Sequence, residues 1–163
     1  MAKKGKKQIP RWSMWPSKHA EVSRLLDEDN LHFQFHHQDD EETAINSYDT
    51  NIMAVFQCRN PTCLNDSWSS RQVAITIRLY SGKRYNARVY HQHCLKCYSM
   101  SKPILDDSYA ERVAYRLKKW SGIVDLNPPP YKKKGGPPHE KEHCEGCKAG
   151  HCLGSNWRQS RRY

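Results

Sequence analysis

The chain has 163 residues and carries 27 Lys and Arg side chains against 17 Asp and Glu, a net charge of +10 at pH 7. Hydrophobic residues make up only 37% of it, so we expect a modest core that needs further stabilisation. No run of 18 apolar residues exists, which excludes a membrane-spanning helix. Seven cysteines without a secretory signal favour a reducing compartment, cytoplasmic or nuclear, where thiols stay reduced or bind metal.

Charge is distributed in blocks along the chain. Residues 1–20 hold six basic and no acidic side chains, whereas residues 21–50 hold nine acidic and one basic. We predict that residues 1–50 form an N-terminal extension, basic then acidic and partly disordered, with a short helix near residues 19–26. The run Asp39–Glu42 is typical of a solvated loop. All cysteines follow this block, so we predict a folded domain over residues 51–155 and a basic tail over 156–163.

The domain begins with the pattern of a long β-hairpin. Residues 51–57 are predicted as a strand, and apolar side chains then alternate with polar ones from Val73 to Leu79. Ser81, Gly82 and Lys83 supply the turn, and residues 84–89 alternate again. One face of this hairpin is therefore apolar, and the other is rich in arginine.

A helix and a linker complete the predicted elements. Tyr109, Val113, Leu117 and Trp120 share one helical stripe within residues 107–121. Residues 127–138 are rich in Pro, Lys and Gly and predict a linker. Together the elements predict a small α+β zinc-binding domain: an antiparallel hairpin or sheet with zinc knuckles and one packed C-terminal helix.

The cysteine spacings predict two zinc ions. Short Cys–Cys spacings let one turn present two thiolates to the same ion, and zinc takes four such ligands. The hairpin lies between Cys58/Cys63 and Cys94/Cys97, so closing it would assemble a four-cysteine site. Cys144, Cys147 and Cys152 need one histidine to complete a second site, and three candidates lie nearby: His139, His143 and His151.

The residues that surround these cysteines resemble a known family. The segments Val55–Cys58, Trp68–Ser70, Tyr90–Cys97 and Pro138–Cys152 look like the 3CxxC-type zinc-finger domain shared by receptor-transporting and zygote-arrest proteins and by many fungal proteins. The first pair departs from the family's CxxC, because four residues separate Cys58 from Cys63. The resemblance places His139 at the family's histidine position. Four residues separate His139 from Cys144, which leaves enough chain for both side chains to reach one ion. His143 and His151 directly adjoin cysteines, so their rings would need a strained chain to reach the same ion.

We expect this protein to be a binding module and not an enzyme. Each predicted site has four protein ligands, which leaves no position for a reactive water. The module's basic charge favours RNA or another nucleic acid, bound through the Arg- and Tyr-rich hairpin face. The predicted contacts are Arg71, Arg78, Lys83, Arg84 and Arg88. Two alternatives stay open: a solvated arginine face without function, and a protein-interaction or receptor-trafficking adapter.

Overall fold

A computed structural model describes residues 9–64, 67–129 and 139–152. The predicted basic cluster at residues 3–7, most of the linker and the C-terminal tail lie outside this described part. Where the structure describes it, the chain forms eight strands and three α-helices. In chain order they are β1 Trp12–Ser13, α1 His19–Asp27, β2 Gln34–Phe35, β3 Asn46–Gln57, β4 Ser67–Tyr80, β5 Arg84–Tyr90, β6 Gln92–His93, β7 Met100–Ser101, β8 Pro103–Leu105, α2 Asp107–Trp120 and α3 Glu145–Ala149.

The predicted hairpin is the centre of a larger antiparallel sheet. Within the described residues the strand order is β1-β5-β4-β3-β8. β1 pairs with β5 in antiparallel direction, and β2 pairs with β5 in parallel. The β4–β5 register places Ile77 opposite Ala87 and Arg78 opposite Asn86. Beyond the sheet, β6 and β7 form a small two-stranded ribbon. The α+β class is confirmed.

One face of the sheet packs against both long helices. Strand side chains such as Val73, Ile75 and Ile77 are fully buried there, together with Tyr109, Val113 and Leu117 of α2. Asp106 caps the start of α2, because its carboxylate accepts a hydrogen bond from the Ser108 amide. The stripe of α2 is therefore buried as its period predicted.

The N-terminal segment completes this core. Val22 and Leu26 of α1 are fully buried in the same cluster as α2, and β3 runs from Asn46 to Gln57 across the domain boundary that was expected after residue 50. Residues 9–50 are thus packed on the domain and supply a helix and strands to it. An amphipathic helix of nine residues gains its stability from such packing, because alone it would be marginal in water.

The opposite face of the sheet, here called the outer face, has two coverings. At one end lies the C-terminal zinc loop (residues 139–152), whose Cys144 and Cys152 pack with Ala74 and Tyr90. At the other end lies the acidic loop (residues 36–45), which contacts Arg78 and Arg88.

Among the described residues, no helix is both long and apolar enough to cross a membrane.

Candidate zinc centres and the predicted nucleic-acid face

The first cysteine cluster forms where β3 ends and β6 ends. Cys58 follows β3 directly, and Cys94 follows β6. Cys58 Sγ lies 3.4 Å from Cys97 Sγ, and Cys63 Sγ lies 3.8 Å from Cys94 Sγ. Tetrahedral zinc with Zn–S bonds near 2.3 Å places its sulfurs about 3.8 Å apart. The longer Cys58–Cys63 loop therefore still brings both thiols to one centre.

Local hydrogen bonds shape the turn that carries Cys94 and Cys97 and act on the Cys97 thiol. The Cys94 carbonyl accepts from the Tyr98 amide, which closes the knuckle turn. Tyr98 adopts φ of +60° there, a left-handed conformation that is uncommon for a non-glycine residue. Hydrogen bonding with the Ser99 side chain and backbone lowers the pKa of the Cys97 thiol to about 6. A thiolate at neutral pH is the form that binds zinc.

The second cluster lies in the C-terminal zinc loop. His139 Nε2 is 3.2 Å from Cys147 Sγ and 3.5 Å from Cys152 Sγ. The Cys147 amide donates to Cys144 Sγ, which caps α3 at its first turn. Hydrogen bonding to Cys144 and Cys147, together with burial, raises the pKa of the Cys152 thiol. Crowded buried thiols keep their protons unless a cation compensates the negative charge, and a zinc ion would supply that charge.

The other two candidate histidines have different partners. His143 contacts the Tyr98 ring edge-on. His151 Nδ1 lies 2.9 Å from Asp49 Oδ2, and its ring stacks on Tyr90. The structure therefore places His139, and neither of these two, with the three cysteines.

Both clusters fit zinc by donor chemistry. In each, the four ligand atoms lie within 4.8 Å of one another, in the sets Cys58/Cys63/Cys94/Cys97 and His139/Cys144/Cys147/Cys152. Thiolate and imidazole ligands in groups of four define structural zinc sites. A sheet whose strand ends carry paired cysteine knuckles is the architecture of a zinc ribbon. The fold and the two clusters thus define a zinc-ribbon type of protein with two candidate zinc sites.

Comparison with known families agrees with this assignment. Residues 51–150 match the zinc-binding domain of the 3CxxC zinc-ribbon family, and the chain belongs to that family. No curated protein and no solved structure matches the chain. The matched segment contains all the predicted zinc ligands except Cys152 and excludes the acidic loop.

The two sites are joined to each other and to the sheet. His93, beside Cys94, has Nε2 at 2.6 Å from Oε1 of Glu145, which follows Cys144. The other carboxylate oxygen of Glu145 accepts from Arg11 at 2.6 Å. Burial would raise the pKa of Glu145, but the hydrogen bonds from His93 and Arg11 hold it below its usual range. Sequence reasoning missed this contact, because 52 residues separate the partners.

The predicted arginine face requires a correction. Arg78 and Arg88 share the outer face, as their alternation predicts, but they are only 2% and 7% exposed. Both guanidinium groups pair with Asp39 and Glu41 of the acidic loop. The expectation that Asp39–Glu42 is simply a solvated loop is therefore wrong for these two carboxylates. Because opposite charges attract across the sheet surface, the loop covers the arginines.

The other three predicted contacts are spread apart. Lys83 is exposed in the hairpin turn with φ of +53°. Arg84 is partly exposed, donates to the Ser81 carbonyl and lies 3.3 Å from the His36 ring. Arg71 is partly buried in β4. The described hairpin thus does not present the five basic side chains as one open surface.

A different basic and aromatic surface adjoins the second zinc site. Tyr98 is 49% exposed, with one face of its ring stacked on His93. Lys148 lies 5.0 Å from the centroid of the same ring. These side chains line an open groove of about 510 Å³, here called the Tyr98 groove, with Lys141, Glu142 and Cys147. Sequence reasoning overlooked it, because the zinc loop brings Lys141 and Lys148 to Tyr98 only in three dimensions.

Proposed function

We propose that this protein is a non-enzymatic, zinc-stabilised module that binds single-stranded nucleic acid, RNA in the first instance, through the Tyr98 groove. The observation that carries the proposal is a half-exposed tyrosine with two exposed lysines in one groove. Lysine ammonium groups neutralise phosphates, and exposed aromatic rings stack on unpaired bases. The hairpin face is less suited to this role, since its two central arginines are buried beneath their carboxylate partners. Lys148 also has a carboxylate nearby, with Nζ 3.4 Å from Glu145 Oε1, but it remains exposed.

The zinc ligands also support a binding role. Each cluster offers four side-chain donors to one ion, and a catalytic zinc keeps one position for water or substrate. In this proposal zinc holds the β6–β7 ribbon and the C-terminal zinc loop in place. The groove between them then keeps its shape without a bound ligand, so less ordering entropy opposes binding.

The test is a salt series with a short fluorescein-labelled single-stranded RNA. The variant Lys141→Gln/Lys148→Gln removes both lysines of the groove, and the matched control Arg24→Gln/Lys119→Gln removes two exposed charges on the helical side. Each lost phosphate contact lowers the slope of log affinity against log salt by about 0.7 for a single strand. We expect a slope lower by about 1.4 for the groove variant alone. Equal affinity and slope in both variants would contradict binding through the Tyr98 groove. An absence of salt-dependent RNA binding by the parent would contradict nucleic-acid binding altogether.

A protein-binding adapter is the second candidate, favoured by one feature of the sheet edge. Val55 and Ile104 face each other across β3 and β8, and each is about half exposed. β8 is the last strand on its side of the described sheet. An edge strand with an apolar pair can add a polypeptide strand. In that case Ile104→Lys should abolish binding of the partner polypeptide, and the RNA salt series should show no binding.

A further inference from the structure

Arg78 and Arg88 form a pair of parallel cations that share the same two carboxylates. Arg78 Nη1 lies 2.5 Å from Oδ1 of Asp39, and Arg88 Nη2 lies 2.9 Å from that oxygen. Arg78 Nη2 and Arg88 Nη1 lie 3.2 and 2.8 Å from Oε1 of Glu41. Each acidic side chain thus bridges both guanidinium groups. Two oxygens from two separate anions occupy a site that a single multi-oxygen anion such as a phosphate could also span.

The sheet holds Arg78 and Arg88 side by side, independently of which anion they bind. They lie on neighbouring strands, since Arg78 is opposite Asn86 and Arg88 is opposite Thr76 in the β4–β5 register. The Arg88 guanidinium also lies 4.3 Å from the centroid of the Trp12 ring. A preorganised pair of guanidinium groups loses little conformational entropy when an anion binds.

The carboxylates are the more exposed partners. The side chains of Asp39 and Glu41 are 28% and 62% exposed, against 2% and 9% for the two arginine side chains. Glu41 and Arg78 also line an open cavity of about 390 Å³, which continues to Thr76 and to His151 of the C-terminal zinc loop. An anion in this cavity would meet Glu41 and Arg78 together.

The backbone of the acidic loop is held separately from its carboxylates. Asn86 Nδ2 donates to the carbonyls of His36 and Gln38, and the Tyr80 hydroxyl donates to the Asp40 carbonyl. The His36 ring lies against Tyr80 with centroids 4.0 Å apart. The loop can therefore keep its place on the hairpin when the Asp39 and Glu41 side chains leave the arginines.

We propose that Arg78 and Arg88 form a second anion site for the nucleic-acid backbone, and that Asp39 and Glu41 act as an internal competitor for it. The inference rests on the proposed nucleic-acid function and adds an autoinhibitory contact to it. A phosphate that enters the cavity displaces first the more exposed Glu41 and then Asp39. Because the competitor is part of the same chain, its effective concentration is high, and only a polyanion held elsewhere on the domain displaces it.

The test neutralises the competitor and leaves the arginines intact. Asp39→Asn/Glu41→Gln removes two negative charges while keeping oxygen acceptors for the guanidinium groups. The matched control, Asp40→Asn/Glu42→Gln, removes the same charge from the same loop at side chains for which the structure gives no contact with the arginines. Elemental analysis for zinc and a thermal melt establish that each variant is folded.

We expect Asp39→Asn/Glu41→Gln to bind the labelled RNA about tenfold more tightly than its control, because no charged competitor has to leave the arginines first. Its salt slope should also be steeper than that of the control, because in the control the displaced carboxylates take up cations while the RNA phosphates release them. Equal affinity and slope in both double variants would overturn the competitor while leaving the Tyr98 groove in place. If the parent and both variants all fail to bind, the proposed function fails as well.

Carbon NMR of the unmodified protein provides a measurement that does not depend on the variants. Saturating RNA should shift the side-chain carboxyl resonances of Asp39 and Glu41, because these carboxylates lose their guanidinium partners. The carboxyl resonances of Asp40 and Glu42 should stay in place. Unchanged carboxyl resonances of Asp39 and Glu41 with RNA bound would contradict the displacement.

Discussion

The contact between His93 and Glu145 joins the two zinc centres. Nε2 of His93 lies 2.6 Å from the Glu145 carboxylate, and His93 Nδ1 lies 2.9 Å from the Tyr98 carbonyl. One partner adjoins Cys94 and the other adjoins Cys144. The Glu145 amide also donates to the His91 carbonyl. Each centre is therefore positioned partly by the other, and zinc binding at one should favour binding at the other.

Replacing Glu145 tests this connection. Glu145→Gln removes a buried charge that both His93 and Arg11 contact, which should lower the free energy of unfolding by about 2–3 kcal/mol. Zinc should be lost to a competing chelator from both centres at lower chelator concentration. The exposed Glu142→Gln is the control and should behave like the parent in both the melt and the chelator titration. A loss confined to the second centre would show that the two are independent.

The metal content and the histidine ligand can be determined together. Elemental analysis of the parent should find about two zinc ions per chain, one for each set of four ligands. His139→Ala should reduce this to about one, because only three cysteines remain at the second centre. His143→Ala and His151→Ala should both retain two. A reversal between His139 and either of the others would reassign the ligand.

The closeness of the C-terminal zinc loop to the sheet predicts a steric effect at Gly146. A Cβ built at this position would lie 2.4 Å from the Cβ of Ala74. Gly146→Ala should therefore destabilise the protein by about 1–3 kcal/mol, despite the better helix propensity of alanine. Adding Ala74→Gly should recover most of that loss in a denaturant titration. Additive effects of the two substitutions would show that the contact does not constrain the loop.

His91 predicts a pH dependence of stability. Burial lowers the pKa of this histidine to about 4, whereas the unfolded chain takes up the proton near pH 6.5. The unfolded state therefore binds more protons below pH 7, and stability falls as the pH is lowered, by about 1 kcal/mol between pH 7 and 5.5. His91→Gln should reduce this loss. Denaturation curves with zinc content measured at each pH check the prediction, and an unchanged pH slope would contradict it.

Much of the fold could be predicted, because its signals are local. Each pattern depends on a few neighbouring residues: the alternation along Val73–Leu79 and the helical stripe of Tyr109, Val113 and Leu117. In the structure the apolar face predicted by each pattern is buried. The N-terminal helix was anticipated, but its burial against α2 was not. Its apolar residues show that one side is covered without showing which element covers it.

The ligand chemistry of this protein follows from short-range spacing in its sequence. The spacings of Cys94/Cys97 and Cys144/Cys147 present two thiolates within a single turn, and such local geometry depends little on the rest of the fold. The sequence also predicts that Arg78 and Arg88 share one face of the hairpin, since strand side chains alternate. The partners of that face, in contrast, depend on the three-dimensional fold. The pairing of Asp39 with Arg78 spans 39 residues, and long-range contacts of this kind depend on the path of a loop, which residue periodicity does not encode.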